Sequence, residues 1–396
     1  MTHRDRGKMS NIATQTMFAE LTQRALDAEF DEFYDERGNF LRKRVKTKEY
    51  WYYKRDERGK AVSRYVGPVG DKSISDRIKR FKTIKSDFRH RREMVRALAA
   101  AGMPSPDAMA GEVIEALWKG GFFRLRGVLV GTLAFQCYGG ILGIRFPGVA
   151  LKTGDADLAQ FYDVSHMVND TMPPILNVLR QADPTFSAVP DANHPHRVTR
   201  FRTATKYLVE FLTPNRGSDD NQSEPAEMPS LGGASAQPLR YLDFLIRDPI
   251  NSVVLHKGGI PVRVPSPERY AVHKLIVAVR RRVDPAKSDK DIRQAEQLIE
   301  ALLSRRSFSL FEAWEEACAR GPSWRENLLR GREMLDQSIK DRFIFSLQTH
   351  GWAEEHLEKK QPKNATISKS KVKIKKRPTA ILKSTPKKRI KNKQNR

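Results

Sequence analysis

An apolar run that turns at a glycine constrains this chain more than any other stretch. "GVLVGTLAFQCYGG", residues 127–140, reads as a buried strand that ends in Gly131-Thr132 and passes directly into an apolar helix. Such a turn exposes backbone N–H groups, and a helix N-terminus favours a phosphate there. Gly131 permits close approach and Thr132 offers a hydroxyl. Downstream, "KTGDADLAQF", residues 152–161, places Asp155 and Asp157 at i and i+2, which is one face of an extended strand. Two carboxylates on one face suit hard divalent cations, Mg²⁺ or Mn²⁺. Paired cations of this kind clamp the attacking and leaving oxygens of a phosphoryl-type displacement. A lone Asp-x-Asp is also an ordinary polar turn; the glycine turn before it sets this pair apart.

The surrounding pattern mixes helices and strands. Met17, Leu21, Leu26 and Phe30 have helical spacing within residues 10–30, and residues 38–68 alternate aromatic, β-branched and basic side chains as a short antiparallel sheet does. A long basic helix is expected over 73–100, and another near 106–119. "DADLAQF" reads as a strand, "VSHMVNDTMPPILNVLRQA" as helix broken at Pro173-Pro174, and "HRVTRF" with "KYLVEFLT" as a β-hairpin. Residues 214–238 read as a long loop, and "LRYLDFLI" and "GGIPVRV" as strands. From Ser266 the pattern is helical, roughly 267–282, 288–304, 307–319 and 323–349. The expected organisation is an N-terminal helical and small-sheet region (1–104), a core (105–265), a helical domain (266–350) and a tail (351–396).

"LVGTLAFQCYGGILGIRF" followed by "KTGDADLAQF" resembles the first two motifs of the nucleotidyltransferase superfamily that includes DNA polymerase β. More narrowly, "VGT", "TGDADLA", "VEFLTP", "VPSPERYAVHKLIVAVRR" and "KSDKDIRQAEQLIEAL", in that order, resemble the bacterial GSU2403-like nucleotidyltransferase-fold family over residues 120–305. Thr132 stands where Ser is more usual, and Gly143 to Leu151 is an added loop. The resemblance implies an α+β fold: a polymerase β-like core, a mixed sheet flanked by helices, between an N-terminal helix and small sheet and a C-terminal helical region. It implies transfer of an NMP from an NTP to a hydroxyl with release of pyrophosphate, on Mg²⁺ or Mn²⁺ held by Asp155 and Asp157. It also implies a third carboxylate, with Glu210 of "KYLVEFLTP" fitting by order and Asp243 of "LRYLDFLI" the rival. Gly131 and Thr132 then hold the β- and γ-phosphates. Lys274 faces the triphosphate, a task that suits a flexible point charge. Lys152 matches a basic position, while Lys287 and Asp291 match a later motif in which Asp291 steadies a basic residue.

Charge extends the expectation to partners. The chain has 72 Lys and Arg against 47 Asp and Glu, a net +25. Residues 359–396 hold 16 of those cations and no acid, so the tail is expected to be disordered and suited to an acidic polymer such as nucleic acid. Residues 38–68 interleave Tyr50, Trp51, Tyr52 and Tyr53 with cations, which serves either base stacking or a plain half-buried sheet. Two alternatives stand beside the enzyme: an inactive nucleotidyltransferase fold that binds nucleic acid or regulates, and a toxin-type nucleotidyltransferase. Two cysteines, Cys137 and Cys318, support neither a disulfide framework nor a thiolate zinc cluster, and suit a reducing cytoplasm. The N-terminus has no apolar signal region, and no run reaches the ~18 apolar residues that span a bilayer.

Overall fold

The computed structural model describes residues 8–33, 39–57, 60–80, 88–146, 153–191, 193–216, 224–281 and 284–352. Lys152, residues 147–151 of the expected loop and residues 353–396 of the basic tail lie outside them. β1 (Lys8–Met9) leads into α1 (Ile12–Phe33), where the Asn11 side chain accepts from the Thr14 N–H at 2.8 Å and caps the helix. β2 (Asn39–Val45), β3 (Lys48–Glu57) and β4 (Lys60–Pro68) then form an antiparallel sheet in the order β2-β3-β4. Its rings are used for packing: Tyr50, Tyr52, Tyr53 and Tyr65 are buried. The Tyr52 hydroxyl donates to the Val168 carbonyl at 2.7 Å, and Asp170 accepts from the Tyr65 N–H at 2.8 Å and from Arg124 at 2.6 Å. Of the four aromatic residues at 50–53, Trp51 alone is half-exposed, and the Arg42 guanidinium lies 5.0 Å from its ring centre.

The helix expected over 73–100 is described as α2 (Lys72–Arg80) and α3 (Phe88–Ala100), with 81–87 outside the described residues. α4 (Ala108–Lys119) follows, capped by Asp107, whose side chain accepts from the Ala110 N–H. β5 (Val128–Leu129) turns directly into α5 (Gly131–Leu142), a helix apolar on all sides and accordingly buried. β6 (Ile144–Arg145) pairs with β1. β7 (Asp155–Ala159) precedes α6 (Tyr162–Met167) and α7 (Ile175–Leu179), which are separated at the Pro173-Pro174 break. β8 (Ser187–Val189), β9 (Arg200–Arg202) and β10 (Leu208–Pro214) complete the central strands, β9 and β10 forming the expected hairpin.

The stretch read as a loop over 214–238 is structured at its C-terminal side. β11 (Ala226–Glu227) and β12 (Ser235–Leu239) add to the sheet, and 217–223 lie outside the described residues. "LRYLDFLI" is not a strand. Tyr241 adopts φ 69°, and α8 (Leu242–Leu245) is one helical turn. β13 (Ile250–Val254) and β14 (Ile260–Val264) make a separate hairpin. Helices α9 (Pro267–Arg280), α10 (Pro285–Leu303), α11 (Ser307–Ala319), α12 (Pro322–Glu333) and α13 (Gln337–Thr349) complete the described elements. The single helix expected over 323–349 breaks at Leu335-Asp336, because Asp336 caps α13 with its carboxylate while its own N–H goes to Glu296 at 2.7 Å.

The result is an α+β fold around a mixed sheet in the order β11-β12-β10-β7-β5. β7, β10 and β12 run parallel, β5 antiparallel to β7. β10 divides its outer edge: residues 208–210 pair with β9 and residues 212–214 with β12. Phe18, Leu21, Met94, Leu98, Val253 and Leu255 bury together, fastening α1 and α3 to β13. Among the described residues no helix is long and apolar enough to cross a membrane.

Candidate active site

Strand alternation builds the site. In β7, Ala156 and Leu158 are fully buried while Asp155 and Asp157 alternate with them at intermediate exposure. β10 repeats the pattern, with Val209 and Phe211 buried and Glu210 half-buried between them. Parallel pairing puts Leu208 beside Asp155 and Glu210 beside Asp157. Paired residues share a sheet face, so Asp155, Asp157 and Glu210 project together. Asp243 does not join them: it lies on α8, ion-paired with Arg320.

The glycine turn meets this face directly. The Val130 N–H donates to the Asp157 carbonyl at 3.0 Å, which brings the start of α5 to β7. Gly131 has φ 63°, and a Cβ there would lie 2.3 Å from Asp157 Oδ2. Both the left-handed backbone and the close approach demand glycine. Thr132 is buried in the first turn of α5. The Tyr270 hydroxyl, on α9, donates to the Gly131 carbonyl at 2.9 Å and lies 3.0 Å from Gln294 Oε1 on α10, which ties the turn to both helices.

Helices α9 and α10 bring the cations. Lys274 is buried and ion-paired with Asp291, and Arg281 Nε lies 2.9 Å from the other oxygen of the same carboxylate. Lys287 is largely exposed, 3.7 Å from Asp284, and its charge acts on Glu210. Lys290, which motif reasoning passed over, faces the same space: Asp155, Asp291 and Asp157 all act on it. Its only trace in the sequence is its i, i+3 spacing from Lys287, which puts both on one side of α10.

These cations do not neutralise the carboxylates. Burial, and then the charges of Asp155 and Glu210, push Asp157 up to about 7, against the weaker pull of Lys274 and Arg281. Burial raises Glu210 as well, opposed first by Arg200, then reinforced by Asp155. On Lys290, burial outweighs the neighbouring acids and lowers the ammonium's pKa. Asp155 accepts from the Thr153 hydroxyl, which orients it.

Among the described residues none of the three carboxylates is ion-paired, and three carboxylates on one face fit a divalent cation. The three side chains do not make a tight cage. Among the described residues the group whose ligand atoms all lie within 4.8 Å is Glu112, Glu115 and His256, on α4 and beyond β13. There Lys257 already occupies the charge, 2.8 Å from Glu112 and 2.5 Å from Glu115. An open row of this kind leaves room for water and substrate oxygens among the ligands of a hard divalent cation.

Three comparisons bear on the chain as a whole. It matches none of the curated proteins. Among solved structures it is similar to an antigenic nucleotidyltransferase-like protein from Paracoccidioides brasiliensis, 14% identical, covering 57% of this chain and 95% of that one, at a TM-score of 0.27 that carries no argument. Residues 108–319 match the family described as nucleotidyltransferase, a span that runs from α4 through the Asp155–Asp157 strand to the end of α11. The chain belongs to that nucleotidyltransferase family.

Proposed function

We propose that this protein is a divalent-metal-dependent nucleotidyltransferase that moves an NMP from an NTP to an acceptor hydroxyl, on a polymerase β-like core of the GSU2403-like kind. The observation that supports this best is the uncompensated carboxylate row, Asp155, Asp157 and Glu210, set against the Gly131 turn. A carboxylate pushed up to about 7 beside two others on one sheet face is the kind of arrangement that functional sites use.

Asp155 and Asp157 are the metal ligands in this reading. The bound cations supply neutralisation of phosphate charge and a lower barrier to ionising the acceptor hydroxyl. The N–H groups at Gly131 and Thr132, at the α5 N-terminus, hold the β- and γ-phosphates. Lys274 and Lys290 add positive charge on that side, with Asp291 fixing Lys274 and Arg281 in place. Lys287 serves the same phosphates from the rim, and Lys152 is the basic position that the family resemblance assigns to them. Glu210 completes the ligand set or accepts the proton of the acceptor hydroxyl, and its raised pKa suits a base. The acceptor oxygen forms its bond to the α-phosphorus as the bond to the β-phosphate's bridging oxygen breaks. Pyrophosphate leaves with that electron pair. The residues contribute mostly position and charge stabilisation.

The test uses full-length protein, labelled NTPs, Mg²⁺ or Mn²⁺, and nucleic-acid, protein and small-molecule acceptors. Label transfer with pyrophosphate release is expected from the wild type. Asp157→Ala is expected to lose at least about a thousandfold, the equivalent of ~4 kcal/mol of transition-state stabilisation. Transfer that persists in Asp157→Ala overturns the assignment.

A further inference from the structure

The carboxylate face continues past Glu210. Antiparallel pairing sets Arg200 beside Glu210 and Arg202 beside Leu208, and β8 follows with Val189 beside Arg200 and Ser187 beside Arg202. Two rows therefore cross the sheet on one face: Asp157, Glu210, Arg200, and Asp155, Leu208, Arg202. Phe201, between the two arginines, turns to the opposite face, buried edge-on against Phe211 with ring centres 6.0 Å apart. That anchor holds both guanidinium-bearing side chains on the carboxylate side. At about 4.8 Å per strand, Arg200 begins about 10 Å from Asp157 across the sheet.

These cations are available. Among the described residues neither Arg200 nor Arg202 has a side-chain hydrogen bond or an ion pair; Arg200 only feels Glu210 and the half-exposed Asp191 at longer range. Arg202 is exposed, and so is Lys206, held at φ 70° in the turn that joins β9 to β10. This turn stands at the end of the sheet where β7 begins, since Leu208 N–H donates to the Gly154 carbonyl at 3.2 Å. Lys274, Arg281 and Lys290 act on Asp155 or Asp157, whereas Arg200 and Arg202 lie beyond Glu210.

We infer that Arg200, Arg202 and Lys206 form an acceptor subsite that grips the phosphates next to the 3′-hydroxyl of a single-stranded polynucleotide. This rests on the nucleotidyl-transfer reading and names its acceptor class. Three cations at the base's side of the site repel a polyamine-like acceptor such as an aminoglycoside and offer nothing particular to an uncharged hydroxyl. Arg200 and Arg202 are separated by about 6.6 Å along the strand, a spacing that serves successive phosphates of an extended backbone. A guanidinium pairs with a phosphate through two parallel N–H donors. With β9 holding the backbone, the terminal hydroxyl reaches inward toward Glu210.

The experiment takes the full-length chain and an oligonucleotide carrying a photoreactive 3′-terminal base, with transfer kinetics on the same oligonucleotide. Crosslinks are expected in the β9–β10 hairpin, residues 200–210. Arg202→Glu is expected to cut that crosslink and raise KM for the oligonucleotide about tenfold or more with kcat little changed, while Arg202→Lys retains most of both. The slope of log K against log salt is expected to fall by about 0.7 for each lost single-strand contact. Lys206→Glu, outside the strand, gives the same direction of change if Arg202→Glu fails to fold. Crosslinks confined to residues 353–396, or an unchanged KM and salt slope in both charge reversals, overturn the inference. Melting shifts with Mg²⁺ and NTP separate the two claims. A wild type that shows no shift sinks the transferase reading itself. A normal shift with transfer only to protein or small-molecule hydroxyls sinks the acceptor subsite alone.

Discussion

Asp157 and Glu316 are both partly buried carboxylates, and they have opposite surroundings. Glu316, on α11, receives Arg269 at 2.6 Å, Arg320 at 2.9 Å and Arg247 at 3.0 Å. Burial works to raise its pKa, yet the hydrogen bonds from Arg269 and Arg320 overcome that and hold it down at about 2. Asp157 sits beside Asp155 and Glu210 and rises to about 7. The same side-chain chemistry thus yields a staple in one place and stored repulsion in the other. Neutralised acids hold elements together; in the reading proposed above, the acids of the β7–β10 face are kept for a cation.

The comparison breaks most easily at Glu316. Glu316→Gln strands three guanidinium groups between α8, α9 and α11. It is expected to cost about 2 kcal/mol, which is a few degrees in melting temperature. Because the native carboxyl is depressed, its contribution is present above the ordinary carboxylate range and is lost as pH falls through about 2. Acid titration of the melting temperature should show that loss in the wild type and not in the variant. The Mg²⁺–NTP melting shift should be the same in both. A variant as stable as the wild type would show that the arginine cluster is idle.

Asp157 should behave with the opposite sign. Its native pKa lies above its unfolded value, so its stabilising proton is fully present below about 4 and lost as pH rises through about 7. In the absence of divalent cations the wild type should therefore lose stability across that window. Asp157→Asn should flatten the curve and melt higher at pH 8, by about 1–2 kcal/mol once solvent screening of a half-buried group is allowed for. Mg²⁺ or Mn²⁺ should restore the wild type at pH 8 and leave the variant unmoved. Parallel pH curves for the two proteins would remove the premise of an uncompensated row.

Much of this contrast could be read from residues alone, and the unreadable part has a physical cause. Period-two alternation exposes Asp155 and Asp157 on one face, and the glycine before α5 announces a sharp turn. Glu210 follows by order along the chain, but its place beside Asp157 is a matter of strand register, which no local pattern carries. Arg200 is illegible for the same reason: only the β9–β10 pairing puts it on the carboxylate face. Asp243 looked like a strand residue because α8 is a single turn, too short to show a helical period. The break at Leu335-Asp336 hid behind apolar spacing that runs on from α12 into α13. The aromatic stretch at 50–53 permitted two readings until Tyr52 was seen to donate to Val168 and bury its ring.

The smallest expected effect tests the rule itself. Glu112, Glu115 and His256 hold the tightest set of ligand atoms among the described residues, and Lys257 bridges both carboxylates. Burial opposes ionisation of Glu115, but hydrogen bonds from Lys257 and Lys119 lower its pKa overall. If compensation decides which acids take a metal, removing the lysine should convert a staple into a site. Lys257→Ala should cost under about 1 kcal/mol without metal, because both partners are partly exposed. It should also acquire a Zn²⁺-dependent rise in melting temperature of a degree or two that the wild type lacks, since two carboxylates and one imidazole suit that ion. Adding His256→Ala to the variant should erase the gain. A Zn²⁺ response of equal size in wild type and Lys257→Ala would mean that Lys257 yields to a metal. Charge compensation would then no longer separate this cluster from the row at Asp157.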